Sequence, residues 1–181
     1  DPGLIVLPYH RVVGGLLPAE LTQLMQRLDE LFESQPLQSG PDVNHEHLME
    51  RVGQLGSENN KGMALVGPIG HSASILTLRP KVFWRDWGPL AIAESWILEE
   101  QVLKPVLGTS MQEHINYTHD HHAAIDQVAS GERQVAFLLK PFPLDNFESI
   151  VTTGQRLPPK STFFFPKLPT GLVMHLLQGK L

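Results

Sequence analysis

The sequence predicts an α+β fold, a mixed β-sheet with helices packed on it, and three observations predict it. An apolar run near the start is followed at once by apolar residues at helical spacing, two short strand-like segments flank a glycine-rich turn near residue 68, and the last third alternates strand and helix signals in a βαβα order.

Taken in order, Leu4 to Val13 reads as a buried strand running into a loop at Gly14-Gly15. Residues 18 to 33 place Leu21, Leu24, Met25, Leu28, Leu31 and Phe32 on one helical face, with Pro18 suited to the first turn. The stretch from Pro36 to Pro41 reads as a break. A second helix follows, carrying Leu48, Met49, Val52 and Leu55, with Gly56 placed to end it. Gly62 to Val66 and Ser74 to Arg79 read as a hairpin joined by Gly67-Pro68-Ile69-Gly70-His71.

The aromatic stretch Phe83-Trp84-Arg85-Asp86-Trp87 leads into a helix from about Pro89 to Val106 that Pro105 should end or bend near Lys104. Trp84, Trp87 and Trp96 read as core. Then come a strand at Ile115 to Thr118, a helix capped by Asp120 and running through Val128 to Gly131, a strand at Gln134 to Leu139, and a helix from Pro143 to Gly154. Strands separated by ten-residue helices usually run parallel, which gives the mixed sheet. Phe163 to Pro166 and Leu172 to Leu177 add two more strands.

Composition narrows the function classes. With 181 residues, 41% hydrophobic and 18% charged, the chain reads as one domain over residues 1–181. The balance of 14 basic and 19 acidic residues leaves a net charge of −5, the wrong sign for neutralising a run of phosphates, so no nucleic-acid partner is expected. No apolar stretch reaches the roughly 20 residues that cross a bilayer, so no membrane partner is expected either. With no cysteine there is no disulfide, thiolate metal site or cysteine nucleophile, which fits a cytoplasmic protein. The start at Asp1 has no initiator Met and no secretory pattern, and the expectation is the C-terminal portion of a longer protein.

Three segments carry a likeness. They are Asp1-Pro2-Gly3-Leu4-Ile5-Val6-Leu7-Pro8-Tyr9-His10-Arg11-Val12-Val13; Tyr117-Thr118-His119-Asp120 with Ala124-Ile125 and Val135-Ala136-Phe137-Leu138-Leu139; and Leu157-Pro158-Pro159-Lys160-Ser161-Thr162-Phe163-Phe164-Phe165-Pro166-Lys167-Leu168 with Thr170-Gly171-Leu172. Together they resemble the C-terminal part of the bacterial and archaeal domain of unknown function 1015 family. The closing segment is the most specific, and Tyr9 stands where the family usually has Thr. The resemblance implies an N-terminal partner segment in the same protein, with an Asp-Gly-His-His-Arg motif reminiscent of the ParB-like fold and of free serine kinases. That motif is absent here, so any phosphotransferase activity implied by the resemblance depends on residues outside this chain.

Lys160-Ser161-Thr162 invites comparison with a phosphate-binding loop, but such a loop uses consecutive backbone N–H groups and glycines. Pro158 and Pro159 have no N–H to offer, and the upstream glycine is missing. What remains is a proline-stiffened loop presenting an ammonium and two hydroxyls, followed by Lys167, suited to a phosphate or carboxylate. His10 and Arg11 follow a strand, where Arg11 would clamp an anion and His10 exchange a proton. The candidate site is therefore His10, Arg11, Lys160, Ser161, Thr162 and Lys167, binding a small anionic or phosphorylated ligand. The residues name no catalytic group and no cofactor.

His114, His119, His121 and His122 lie close together, but His121 and His122 point about 100° apart on a helix, and His45 and His47 do not share a face, so no metal site is expected. The alternative to a ligand-binding site is a structural or homo-oligomerising domain whose polar loop fixes its packing against the rest of the protein.

Overall fold

A computed structural model describes residues 5–38, 44–55, 61–67 and 72–167. The expected stop at Gly56, the centre of the hairpin turn and the strand at 172–177 lie outside the described residues, as do Asp1-Pro2-Gly3-Leu4, Leu168 and Thr170-Gly171-Leu172 of the family-like segments. The fold is α+β, as the sequence predicts. Six strands form one sheet: β2 (His10–Val13), β3 (Phe32–Gln38), β4 (Gly62–Val66), β5 (Ala73–Leu78), β6 (Ile115–Thr118) and β7 (Val135–Leu138), in the order β3-β5-β4-β7-β2-β6. A separate two-stranded ribbon pairs β1 (Ile5–Leu7) with β8 (Phe163–Phe165).

Every described ladder is antiparallel, and β6 and β7 both flank β2 in that sense, so they run parallel to each other with β2 between them. The helix between them, α6 (His121–Ala129), packs on β2 and β7. The crossover expected from the strand-helix-strand spacing is thus present, split by a strand from the start of the chain.

Both faces of the sheet are covered, which is why β4 is buried along its whole length. Side chains alternate across a strand. Val13, Met63, Leu65, Leu76, Val135 and Phe137 therefore meet α1 (Pro18–Leu31) and the helical stretch 94–107, while Val12, Ala64, Val66, Ile75, Ala136 and Leu138 meet α2 (His45–Gln54) and α6. Large residues dominate the first face and alanines are frequent on the second, so α2 and α6 can lie close to the strands. Gly62 belongs to the same packing: a Cβ there would meet the carbonyl oxygen of Leu76 on the paired strand at 2.2 Å.

The expected single strand from Leu4 to Val13 is two strands broken at Pro8-Tyr9, one in the ribbon and one in the main sheet. The expected break at Pro36 is strand β3, where Phe32 is buried and Leu37 partly so, and which among the described residues pairs only with β5. A proline is tolerated on such an edge because its missing N–H interrupts no second ladder.

The helix around Pro105 consists of α3 (Glu94–Trp96), a π-helical stretch (Ile97–Leu103) and α4 (Lys104–Leu107). The chain stays helical through Pro105 and ends at Gly108. Without an N–H at 105 the Gln101 carbonyl has no α-helical donor, and Arg27 Nε donates to it at 2.8 Å. Trp84, Trp87 and Trp96 pack half-buried against the core. The remaining helices are α5 (Met111–His114) and α7 (Leu144–Thr152). Asp120 caps α6, its Oδ1 accepting from the His122 and Ala123 N–H groups. Among the described residues, no helix is long and apolar enough to cross a membrane.

Candidate functional site

The β1–β8 ribbon brings the two ends of the described chain together, with Leu7 opposite Phe163 and Ile5 opposite Phe165. Just beyond it, Tyr9 and Phe163 meet edge to face, ring centroids 5.5 Å apart. Each ring carries an ammonium: Lys160 Nζ lies 5.2 Å from the Tyr9 centroid and Lys167 Nζ 4.7 Å from that of Phe163. His119 stacks on Phe163 at 4.4 Å with the ring planes nearly parallel. Two exposed lysines and an exposed imidazole thus gather on one aromatic pair.

The loop that presents Lys160 is tightly made. Ser161 is buried, and its hydroxyl donates to the Pro158 carbonyl at 2.8 Å and meets the Ser95 hydroxyl at 3.1 Å. Lys160 itself adopts φ 58°, the left-handed region, and is the only non-glycine residue with positive φ among the described residues. For a residue with a Cβ that conformation costs roughly 1–2 kcal/mol, and it persists where the surroundings impose it. Thr162 is half-buried between Ser161 and Phe163.

Beside the loop is a small hollow of about 10 Å³, room for roughly one water, lined in part by Tyr9, Glu94, Ser95, Lys140 and Ser161. Lys140 Nζ lies 3.0 Å from Glu94 Oε1 and donates to the Leu55 carbonyl. On the other side of Glu94 Oε1, Lys61 Nζ stands at 3.5 Å and donates to the Ile92 carbonyl at 2.6 Å. Lys61 also lines a groove of about 470 Å³ walled by Arg79, Phe83, Trp84 and Arg85.

His10 and Arg11 lie beside this cluster but point away from it, to opposite faces of the sheet. Arg11 is fully buried: Nε and Nη2 donate to Glu99 Oε1 at 3.0 and 2.8 Å, Nη1 donates to the Tyr9 carbonyl at 2.7 Å, and the guanidinium lies over Tyr117. The role read for Arg11 as an anion clamp is filled from inside the fold by Glu99, whose carboxyl is pushed up by burial and pulled back by Arg11. His10 is buried on the α6 face, where Nδ1 accepts the Leu139 N–H at 3.2 Å. Burial, and then the neighbouring His121, lower its pKa to about 3, so it stays neutral at ordinary pH.

Of the six residues singled out in the sequence, the structure gathers Lys160 and Lys167 on the aromatic pair with Thr162 half-buried in the same loop, and turns His10, Arg11 and the Ser161 hydroxyl inward. The N-terminal segment contributes Tyr9 instead. Tyr9, His119 and Phe163 were legible only as a strand end, a helix entry and core, because nothing in their spacing tells that the ribbon stacks them.

No protein-family model matches the chain, and no curated protein matches it. Among solved structures it is similar to a conserved hypothetical protein from Pyrococcus furiosus, with 17% identity and a TM-score of 0.53 over 93% of this chain and 60% of that one. It is also similar to a free serine kinase in complex with AMP, with 19% identity and a TM-score of 0.48 over 91% of this chain and 55% of that one. A mutant free serine kinase in complex with ADP gives the same values. The chain therefore spans about 60% of the length of the Pyrococcus protein, and the likeness at these identities is one of fold.

Proposed function

We propose that this chain is the anion-binding portion of a longer protein of the domain of unknown function 1015 type, and that it holds a small phosphorylated ligand for a phosphotransfer whose catalytic groups lie mainly outside these residues. The observation that carries the reading is the pair of ammoniums, Lys160 and Lys167, anchored on the edge-to-face Tyr9–Phe163 pair. Cation–π contact holds each ammonium in place with no carboxylate partner among the described residues, which leaves its charge available to a phosphate. The Thr162 hydroxyl stands close to Lys160 in the chain, the Ser161 hydroxyl holds the loop in place, and His119 adds a ring nitrogen that can donate. The strained backbone at Lys160 supports the same reading, since a turn with no task beyond turning would be better served by glycine.

The test is a thermal-shift series on the full-length protein with inorganic phosphate, AMP, ADP and phosphoserine, in wild type, Lys160→Ala, Lys167→Ala and the distant surface variant Lys104→Ala. The reading expects a ligand-dependent rise in melting temperature that both site variants diminish and Lys104→Ala preserves. A rise of equal size in all four proteins would count against it.

One observation favours the structural alternative: Ile5 and Phe165, cross-strand partners on the ribbon, are each about half exposed. A ribbon that serves only to pack against another part of the protein would make Ile5→Ser and Phe165→Ser lower the stability or change the subunit number of the full-length protein, with no ligand response to lose.

A further inference from the structure

The first turns of α2 and α6, about 75 residues apart in the chain, place four titratable side chains against one another. Glu46 Oε1 lies 3.7 Å from His122 Nε2 and 4.0 Å from His121 Nε2, and the three ligand atoms all fall within 4.8 Å of one another. His45 Nδ1 stands 2.7 Å from His122 Nδ1. From this geometry we propose that Glu46, His121 and His122 bind a divalent cation of the zinc class, with His45 orienting the ring of His122.

Three features argue for a cation rather than a chance gathering of side chains. Two imidazoles and a carboxylate form a three-ligand set that zinc uses with one position left open. Its donors sit 2.0–2.2 Å from the metal, so ligand atoms in a tetrahedron stand about 3.3 Å apart. The two carboxylate–imidazole separations need to close by less than 1 Å and the third, at most 4.8 Å, by up to about 1.5 Å, and exposed Glu46 and His122 can turn to do so.

The second feature is His121 Nε2, which is buried yet has no hydrogen-bond partner among the described residues, while the Glu46 carboxylate stands too far away to accept from it. A metal between them would satisfy both. The third is the contact at the far nitrogen of His122. Ligating histidines usually engage an acceptor through the other ring nitrogen, which fixes tautomer and orientation, and His45 occupies that place. The adjacent rings of His121 and His122 sit with centroids 4.2 Å apart and both direct Nε2 at Glu46, so the 100° between their Cα positions is overcome by a ligand from a second helix. Magnesium, which prefers all-oxygen ligands, fits this set poorly.

The experiment uses tag-free full-length protein stripped with chelator and titrated with Co²⁺ followed by absorption, then with Zn²⁺ by calorimetry. The expected result is saturable binding of one metal per chain, with the visible bands of a four-coordinate Co²⁺ site displaced by Zn²⁺. Glu46→Gln and His122→Ala, both at exposed positions, should each weaken it at least tenfold. His45→Ala should weaken it by about 10–100-fold, as loss of an orienting partner does, and His47→Ala should leave it unchanged. Absence of a saturable one-to-one site, or wild-type affinity in both Glu46→Gln and His122→Ala, would overturn the proposal.

Discussion

Lys160 and Tyr9, separated by almost the whole described chain, meet with the ammonium 5.2 Å from the ring centroid. The contact exists because β1 and β8 pair across the ends of the chain and because Ser161 locks the loop onto Ser95. It makes the proline-stiffened loop a fixed display of charge.

The left-handed backbone of Lys160 gives a separable test of function and stability. Lys160→Gly should leave the fold as stable as wild type or raise its stability by up to about 1 kcal/mol, because glycine takes that φ without strain, while abolishing the response to phosphate. Urea melts paired with ligand titration measure both. A coupled loss of stability and binding would mean the side chain serves the fold.

Ser161→Ala should cost about 1–2 kcal/mol, since it removes hydrogen bonds at a buried position and leaves Ser95 facing an empty partner. It should also weaken phosphate binding although no charge is lost, because Lys160 is no longer held in register. Calorimetric titration of the variant checks this.

The Arg11–Glu99 pair predicts strong coupling. Glu99→Leu leaves a buried guanidinium without its carboxylate and should cost about 3–5 kcal/mol, whereas the double variant Arg11→Met with Glu99→Leu should recover a large part of that loss. A double-mutant cycle in guanidinium chloride measures the coupling, and additive effects would contradict it.

His10 predicts a pH dependence. Its folded value lies near 3 against an ordinary 6.5, so its contribution is full above pH 6.5 and is lost as the pH falls from there toward 3, because the unfolded chain takes up a proton that the folded chain refuses. The size is on the order of 5 kcal/mol as an upper figure. His121, lowered chiefly by burial, acts in the same direction. In His10→Leu the stability at pH 7 should drop, since the Leu139 N–H loses its acceptor, and the decline between pH 6.5 and 4 should be shallower than in wild type.

What was legible in the sequence is what local physics decides. The helical face of α1, the Asp120 cap and the hairpin of β4 with β5 follow from periodicity, capping and turn chemistry. Strand β3 was not legible because it shows the core only Phe32 and, in part, Leu37 and carries Pro36, a pattern that reads as a loop unless the strand is known to lie at an edge. The loop at Lys160 to Thr162 could be picked out by its own residues, but its partner Tyr9, just ahead of β2, could not. Alternation along that strand sends Arg11 to Glu99 and His10 to the α6 face, and the facing elements, 88 and 129 residues away, decide what each one meets. The histidine cluster stayed hidden for a similar reason: spacing within one helix says nothing about a carboxylate on another.

The account turns on where an anion binds. Reductive ¹³C-methylation of the lysines of the full-length protein, with the Lys160 and Lys167 resonances assigned by Lys→Arg replacement, allows each ammonium to be followed as phosphate or ADP is added. The account predicts that the Lys160 and Lys167 signals shift together and saturate at one concentration while that of Lys104 stays in place. Saturating binding that moves other lysines and leaves these two unchanged would contradict it.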